Sequence, residues 1–260
     1  MKIKRWAKVL MIAAGGVLLL ILLFVALQQQ REILCSDIVV VLEPHTAGVS
    51  VDEEAVIQHL KDYSDTIRGL KLKEIDLPGL HRHLIRLPYI SDVDLYFTLH
   101  GVLKAKVFPR GIITRVYDIH GSSLLLADDG LLLPVPPHGG PRVPVASGMI
   151  LDTLRMLRGK SVHSLPKESV IHEIYKTAMF LSSDPFYKSL IAQIYVRDDK
   201  DLELVPTIDD HIILIGNADN LDYKFEKLMA FYRKGTVRTG WNAYRKINIK
   251  HSNQVICTNR

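Results

Sequence analysis

Cysteine is scarce in this chain: two residues in 260, Cys35 and Cys257. A small secreted domain stapled by disulfides would carry more cysteines in fewer residues, so that class is excluded. Both thiols are expected to stay unpaired. Surplus charge is scarce too. There are 33 Lys and Arg against 28 Asp and Glu, a formal net charge of +5. Four of the basic residues, Lys2, Lys4, Arg5 and Lys8, stand in the first eight positions with no acidic companion. Without them the balance is 29 − 28 = +1. A nucleic-acid-binding domain would carry a basic patch on its folded part, so no nucleic-acid partner is expected. A hydrophobic content of 48% with scattered charges also excludes a disordered or collagen-like chain.

Catalytic signatures are missing as well. There is no Gly-x-Ser-x-Gly elbow, no Ser-x-x-Lys with a Lys-Thr-Gly, no Gly-rich phosphate loop and no His-Glu-x-x-His. His81 and His83 stand two apart on an expected helix, so their side chains point ~200° apart and cannot share a metal. The acidic groups Asp128-Asp129-Gly130 and 197–201 (RDDKD) fall where hairpins must turn, and Asp and Gly serve the backbone there. Neither cysteine has a neighbouring histidine that would mark a reactive thiol. No catalytic, metal or cofactor residue is assigned, and no cofactor or small-molecule substrate is expected.

What the chain does have is one long apolar run. Residues 9–27 (VLMIAAGGVLLLILLFVAL) contain no charged side chain. At ~1.5 Å per residue, nineteen residues reach ~28 Å, close to a hydrocarbon core of about 30 Å. The run exceeds a signal-peptide core of about 7–15 residues and lacks a small-x-small cleavage site, which favours an uncleaved single-pass anchor. Lys4, Arg5, Trp6 and Lys8 form its flank and keep the amino terminus in the cytoplasm. This gives a cytoplasmic tail at 1–8, a transmembrane helix at 9–27 and a linker at 28–36. The rest forms one extracytoplasmic body.

That body divides in two. Over 37–109 the pattern is β-α-α-β-β. A β-branched strand at 37–42 precedes a helix opened by the Ser50…Glu53 capping box. A second helix follows, capped by Asp76 with Pro78 in its first turn and running to Leu87. Two alternating strands then turn at His100-Gly101. Over 110–260 turn signals recur every dozen or so residues. Strands are expected at 112–117, 124–126, 190–196, 202–206, 212–215, 244–250 and 255–257, and helices at 167–181 and 220–234. Residues 133–144 (LPVPPHGGPRVP) read as a loop. The fold class is therefore α+β, with a transmembrane helix, a three-stranded module and a mixed α/β domain on a mostly antiparallel sheet.

This order resembles the FtsQ/DivIB family of bacterial division proteins, which have a span, a POTRA module and a β domain. Leu87-Pro88-Tyr89-Ile90-Ser91-Asp92-Val93 is similar to the family's segment before the POTRA hairpin, and Phe108-Pro109-Arg110 to its strand exit. Residues 126–134, with Asp129-Gly130 at the turn, resemble the opening of its β domain, and residues 143–148 the apolar-Pro…Gly step. Ile247-Asn248-Ile249-Lys250-His251 stands where the family has an Asp-Leu-Arg-aromatic stretch, so contacts specific to those side chains are in doubt. The resemblance implies a non-enzymatic divisome scaffold that binds FtsB-like and FtsL-like coiled-coil membrane proteins. Through them it reaches the septal peptidoglycan synthase complex. A membrane-anchored periplasmic envelope enzyme and a POTRA-bearing envelope assembly factor remain the alternatives.

The short terminal strand, Val255-Ile256-Cys257, has little charge or proline to blunt its edge. A partner strand adding to it is the expected mode of binding. The expected partner-binding residues are Tyr244, Ile247, Ile249 and His251 on the approach, and Ser252, Val255, Ile256 and Cys257 on the turn and strand.

Overall fold

The computed structural model describes residues 11, 14–24, 33–43, 53–63, 67–136, 140–234, 240 and 243–260. It is an α+β protein with mixed sheets, in two compact units that divide between Phe108 and Pro109.

The first unit runs β1 (Asp37–Leu42), α1 (Glu53–Tyr63), α2 (Leu77–Leu84), β2 (Ile90–Phe97) and β3 (Val102–Pro109). Its sheet has the order β1-β3-β2, with β1 parallel to β3 from Asp37↔Val102 to Leu42↔Val107. Alternation turns Ile38 and Val40 of β1 and Leu103, Ala105 and Val107 of β3 to one face, where Val56, Leu60, Leu80 and Leu84 of the helices cover them. Asp76 caps α2 by accepting from the Gly79 N–H at 3.0 Å. The helix stops at Leu84, earlier than the leucine spacing predicts. Leu87 precedes Pro88, whose ring disfavours helical backbone in the residue before it. Residues 50–52 of the expected capping box lie outside the described residues.

The second unit is built on one nine-stranded sheet. Its strands are β4 (Ile112–Tyr117), β5 (Ser123–Ala127), β6 (Leu132–Leu133), β7 (Val145–Gly148), β8 (Ile191–Val196), β9 (Leu202–Pro206), β10 (Ile212–Gly216), β11 (Tyr244–Asn248) and β12 (Ile256–Asn259). Between them come α3 (Leu154–Leu157), α4 (Ile171–Ser183), α5 (Pro185–Leu190) and α6 (Leu221–Lys234). The spatial order is β12-β11-β10-β9-β8-β7-β4-β5-β6. Parallel pairing joins β4 to β7, β7 to β8 and β10 to β11, so the sheet is mixed. Two of those junctions follow from chain length. Parallel neighbours need a crossover of a dozen or more residues, and α4 spans the gap from β7 to β8 as α6 spans that from β10 to β11.

Ile174, Ala178 and Leu181 of α4 and Phe225 and Leu228 of α6 pack on Ile194, Leu204, Ile213 and Ile247 of the sheet. Phe225 is fully buried, its ring centroid 4.8 Å from that of Phe180 and 4.9 Å from that of Tyr187. Leu132 and Leu133, the second of them expected at the start of a loop, form β6 and are buried before Pro134 ends the strand. Helix α5 escaped the periodicity because it has only six residues, yet Asp184 caps it through the Phe186 N–H at 2.7 Å.

The expected membrane-spanning helix is not found. Among the described residues no helix is long and apolar enough to cross a membrane. Residues 11 and 14–24 of that stretch are helical. The remainder of 9–27 lies outside the described residues, as do Lys4, Arg5, Trp6 and Lys8.

Candidate partner-binding edge

An open sheet has two edges, and each leaves a row of backbone donors and acceptors to be satisfied. In the second unit these edges are β6 and β12. The β6 edge is covered by its own chain. The Leu132 N–H donates to the Lys160 carbonyl at 2.9 Å, the Gly159 N–H to the Leu132 carbonyl at 2.7 Å and the Val162 N–H to the Gly130 carbonyl at 2.8 Å. The β12 edge has no such cover among the described residues.

Strand β12 runs antiparallel to β11, with Asn248↔Ile256, Ile247↔Cys257 and Lys246↔Thr258 in register. A shift between Tyr244 and Lys246 marks a bulge at Arg245. Two bonds fix which groups face outward. The Ile249 N–H donates to the Leu214 carbonyl of β10 at 2.9 Å, so Asn248 and Lys246 face β12. The Arg260 N–H donates to the Ala243 carbonyl at 3.3 Å, so alternation turns Thr258 and Ile256 toward β11 as well. Both facts leave the N–H and C=O groups of Cys257 and Asn259 on the open side.

Side chains alternate in the other direction. Cys257 packs against the core, and burial pushes its thiol up, which keeps it protonated at neutral pH. Both cysteines are free thiols. Thr258 lies on the opposite sheet face, where it lines a cavity of about 380 Å³ with Tyr195, Arg197, Glu203, Arg245 and Lys246. Glu203 is 8% exposed and bonds both Arg197, at 3.1 Å, and Lys246, at 2.6 Å. Among the described residues Arg245 has no carboxylate in direct contact, although Asp198 lines the same cavity.

The expected binding residues do not all share one surface. Ile247 and Ile249 are buried in the core, and Tyr244 packs against it half-buried. His251 and Ser252 are exposed in the turn, Val255 is half-buried, and Ile256 is exposed to 44%. Ile256 and Cys257 therefore sit on the edge strand, whereas Ile247 and Ile249 support it from within. The strand begins at Ile256, one residue later than expected, and ends two residues later than expected. The strand continues through Thr258 and Asn259, and the β-branched Thr258 was the available signal.

Elsewhere the expected divergence of His81 and His83 is seen. His81 Nε2 lies 3.0 Å from the Asp92 carboxylate, while the His83 ring sits 5.2 Å from that of Tyr63. Among the described residues no group of His, Cys, Asp and Glu is arranged to hold a metal.

The second unit thus defines a class: a mixed-sheet domain with one edge sealed by its own chain and one without such cover among the described residues. Residues 112–258 match the family described as FtsQ/DivIB, C-terminal related. The chain belongs to that FtsQ/DivIB-related family, and the resemblance read from the sequence stands on this match. No curated protein matches the chain. The family is one of non-enzymatic division scaffolds, so membership ties the chain to cell division and points to the division-site membrane.

Proposed function

We propose that this protein is a non-enzymatic divisome scaffold that takes a strand from an FtsB-like protein onto β12. An FtsL-like partner comes with it, and through both the scaffold reaches the septal peptidoglycan synthase complex. The β-α-α-β-β unit acts as a POTRA module and helps place the protein at the septum, on the periplasmic side of the inner membrane. The observation that carries the reading is the open edge: Cys257 and Asn259 turn their backbone groups away from β11, with no charge or proline between Ile256 and Asn259. Main-chain bonds to those groups would supply affinity, each worth about 0.5–1.5 kcal/mol net. Arg245, beside the edge and without a direct ion pair among the described residues, would favour an acidic side chain on the incoming strand.

Proline at position 257 tests it. Its ring removes an outward N–H and leaves the ladder to β11 intact, whereas proline at 256 would break a bond within the sheet. The full-length Cys257→Pro variant should fold normally and lose capture of the FtsB-like protein of the same organism. A folded variant that captures it at wild-type affinity places the interface elsewhere.

A further inference from the structure

Strand β12 has four residues and one neighbour, so β11 alone gives it few bonds. Both of its ends are nevertheless tied to α6. At the leading end Lys227 sends its ammonium into the β11–β12 turn, donating to the Ile249 carbonyl at 3.1 Å and to the His251 carbonyl. The same ammonium lies 5.1 Å from the centre of the Tyr223 ring, whose hydroxyl reaches the Asn253 side chain at 3.4 Å. At the trailing end the Arg260 guanidinium donates to the Asp209 carboxylate at 3.1 Å. Asp209 is held in turn. Its backbone sits in the left-handed region at φ 63°, and its other carboxylate oxygen is 3.3 Å from His211 Nδ1. His211, 2% exposed, places Nε2 2.6 Å from the Tyr232 hydroxyl of α6.

Two features set these contacts apart from ordinary surface pairs. The Asp209 side chain is only 8% exposed, so the carboxylate end of the pair is set into the protein, while Arg260, 41% exposed, stays open to solvent. A non-glycine residue at positive φ is costly and persists only where its surroundings hold it. Tyr223 and Lys227 stand four apart on one face of α6, whereas Tyr232 lies on its buried side, so two different faces of the same helix serve the two ends of the strand.

We infer that Lys227 and Asp209 are positioning residues for partner docking: Lys227 from α6 and Asp209 from the β9–β10 loop hold the two ends of β12 in the register that presents Cys257 and Asn259. The inference rests on the reading of β12 as the docking edge. Neither side chain would touch the partner strand. Each acts by keeping the acceptor strand ordered before the partner arrives, so that ordering it does not subtract from binding.

The test uses full-length Lys227→Met, which keeps the apolar stem, and Arg260→Gln, with Arg260→Lys as the conservative control. Amide exchange of Ile256 and Thr258 reads the clamp, and affinity for the FtsB-like protein reads docking. Each charge-removing variant should speed exchange at those two amides by at least about tenfold, the scale of one charged hydrogen bond. Capture should weaken by a similar factor, exchange at Ile194 and Leu204 should not change, and Arg260→Lys should restore part of both losses. Unchanged exchange at Ile256 and Thr258 overturns the inference, and so does faster exchange with undiminished capture. Cys257→Pro separates the two layers. If it too leaves capture intact, the docking reading itself has failed.

Discussion

At β6 the edge of the large sheet closes on its own chain, with Leu132 bonded to Gly159 and Lys160 and both of its leucines buried. At β12, on the far side of the same sheet, the last strand carries an exposed Ile256 and two residues whose backbone groups find no partner among the described residues. The sealed edge is made of apolar side chains sunk in the core, and its stability and its structure are one matter. The open edge is made of side chains that are half-buried or exposed, tied at its two ends by Lys227 of α6 and Asp209 of the β9–β10 loop. A strand held by clamps and not by deep burial can be ordered and still leave its outer row of bonds available. That separation lets an edge serve a partner without carrying the fold.

The comparison breaks most readily through matched truncations. Leu132→Ala removes a fully buried side chain and should destabilise by about 2–5 kcal/mol in denaturant unfolding. Ile256→Ala, at a position 44% exposed, should cost less than about 1 kcal/mol in the same measurement. Equal losses would mean that β12 is as much a part of the core as β6.

A smaller effect should appear in acid. The Asp209 carboxyl is held below its ordinary range, first by a hydrogen bond from the Asp210 N–H, against the opposing effect of burial, and further by His211 and Arg260. The groups facing it are His211 and Arg260, with Tyr232 behind His211 and the exposed Asp210 beside it. A depressed carboxyl contributes stability above its unfolded pKa, about 3.9, and loses it as the pH falls through the lower folded value. Exchange at Ile256 and Thr258, corrected for intrinsic rates, should therefore stay flat through neutral pH and rise only in that acidic window. Leu132, with no titrating support, should not follow. A rise already present between pH 5 and 7 would assign the clamp to another group.

Much of this fold was legible from one chain. The alternation of β1 and β3, the Asp76 cap, the Asp129-Gly130 turn and the apolar stripe of α6 are local, so pattern alone carries them. What sequence reading missed is nonlocal or short. Parallel pairing of β7 with β4 and β8 depends on the spatial order of strands, and β7 offers only four residues, Val145–Gly148. The expected membrane span rested on composition over 9–27, and among the described residues no helix is long and apolar enough to cross a membrane. For the candidate site, the terminal strand could be read from its apolar residues. Which of its amides face outward could not, because that parity is set by Ile249 bonding to Leu214 across the sheet. Asp209 looked like one more turn aspartate, and its bond to Arg260 spans 51 positions.

The most direct test of an open edge reads the edge itself. Amide exchange of Cys257 and Asn259 should be fast in the free protein and become protected when the FtsB-like protein binds, while Ile256 and Thr258 stay protected throughout. Protection of Cys257 and Asn259 already present in the free protein, or their unchanged exchange in a complex that does form, would contradict the account.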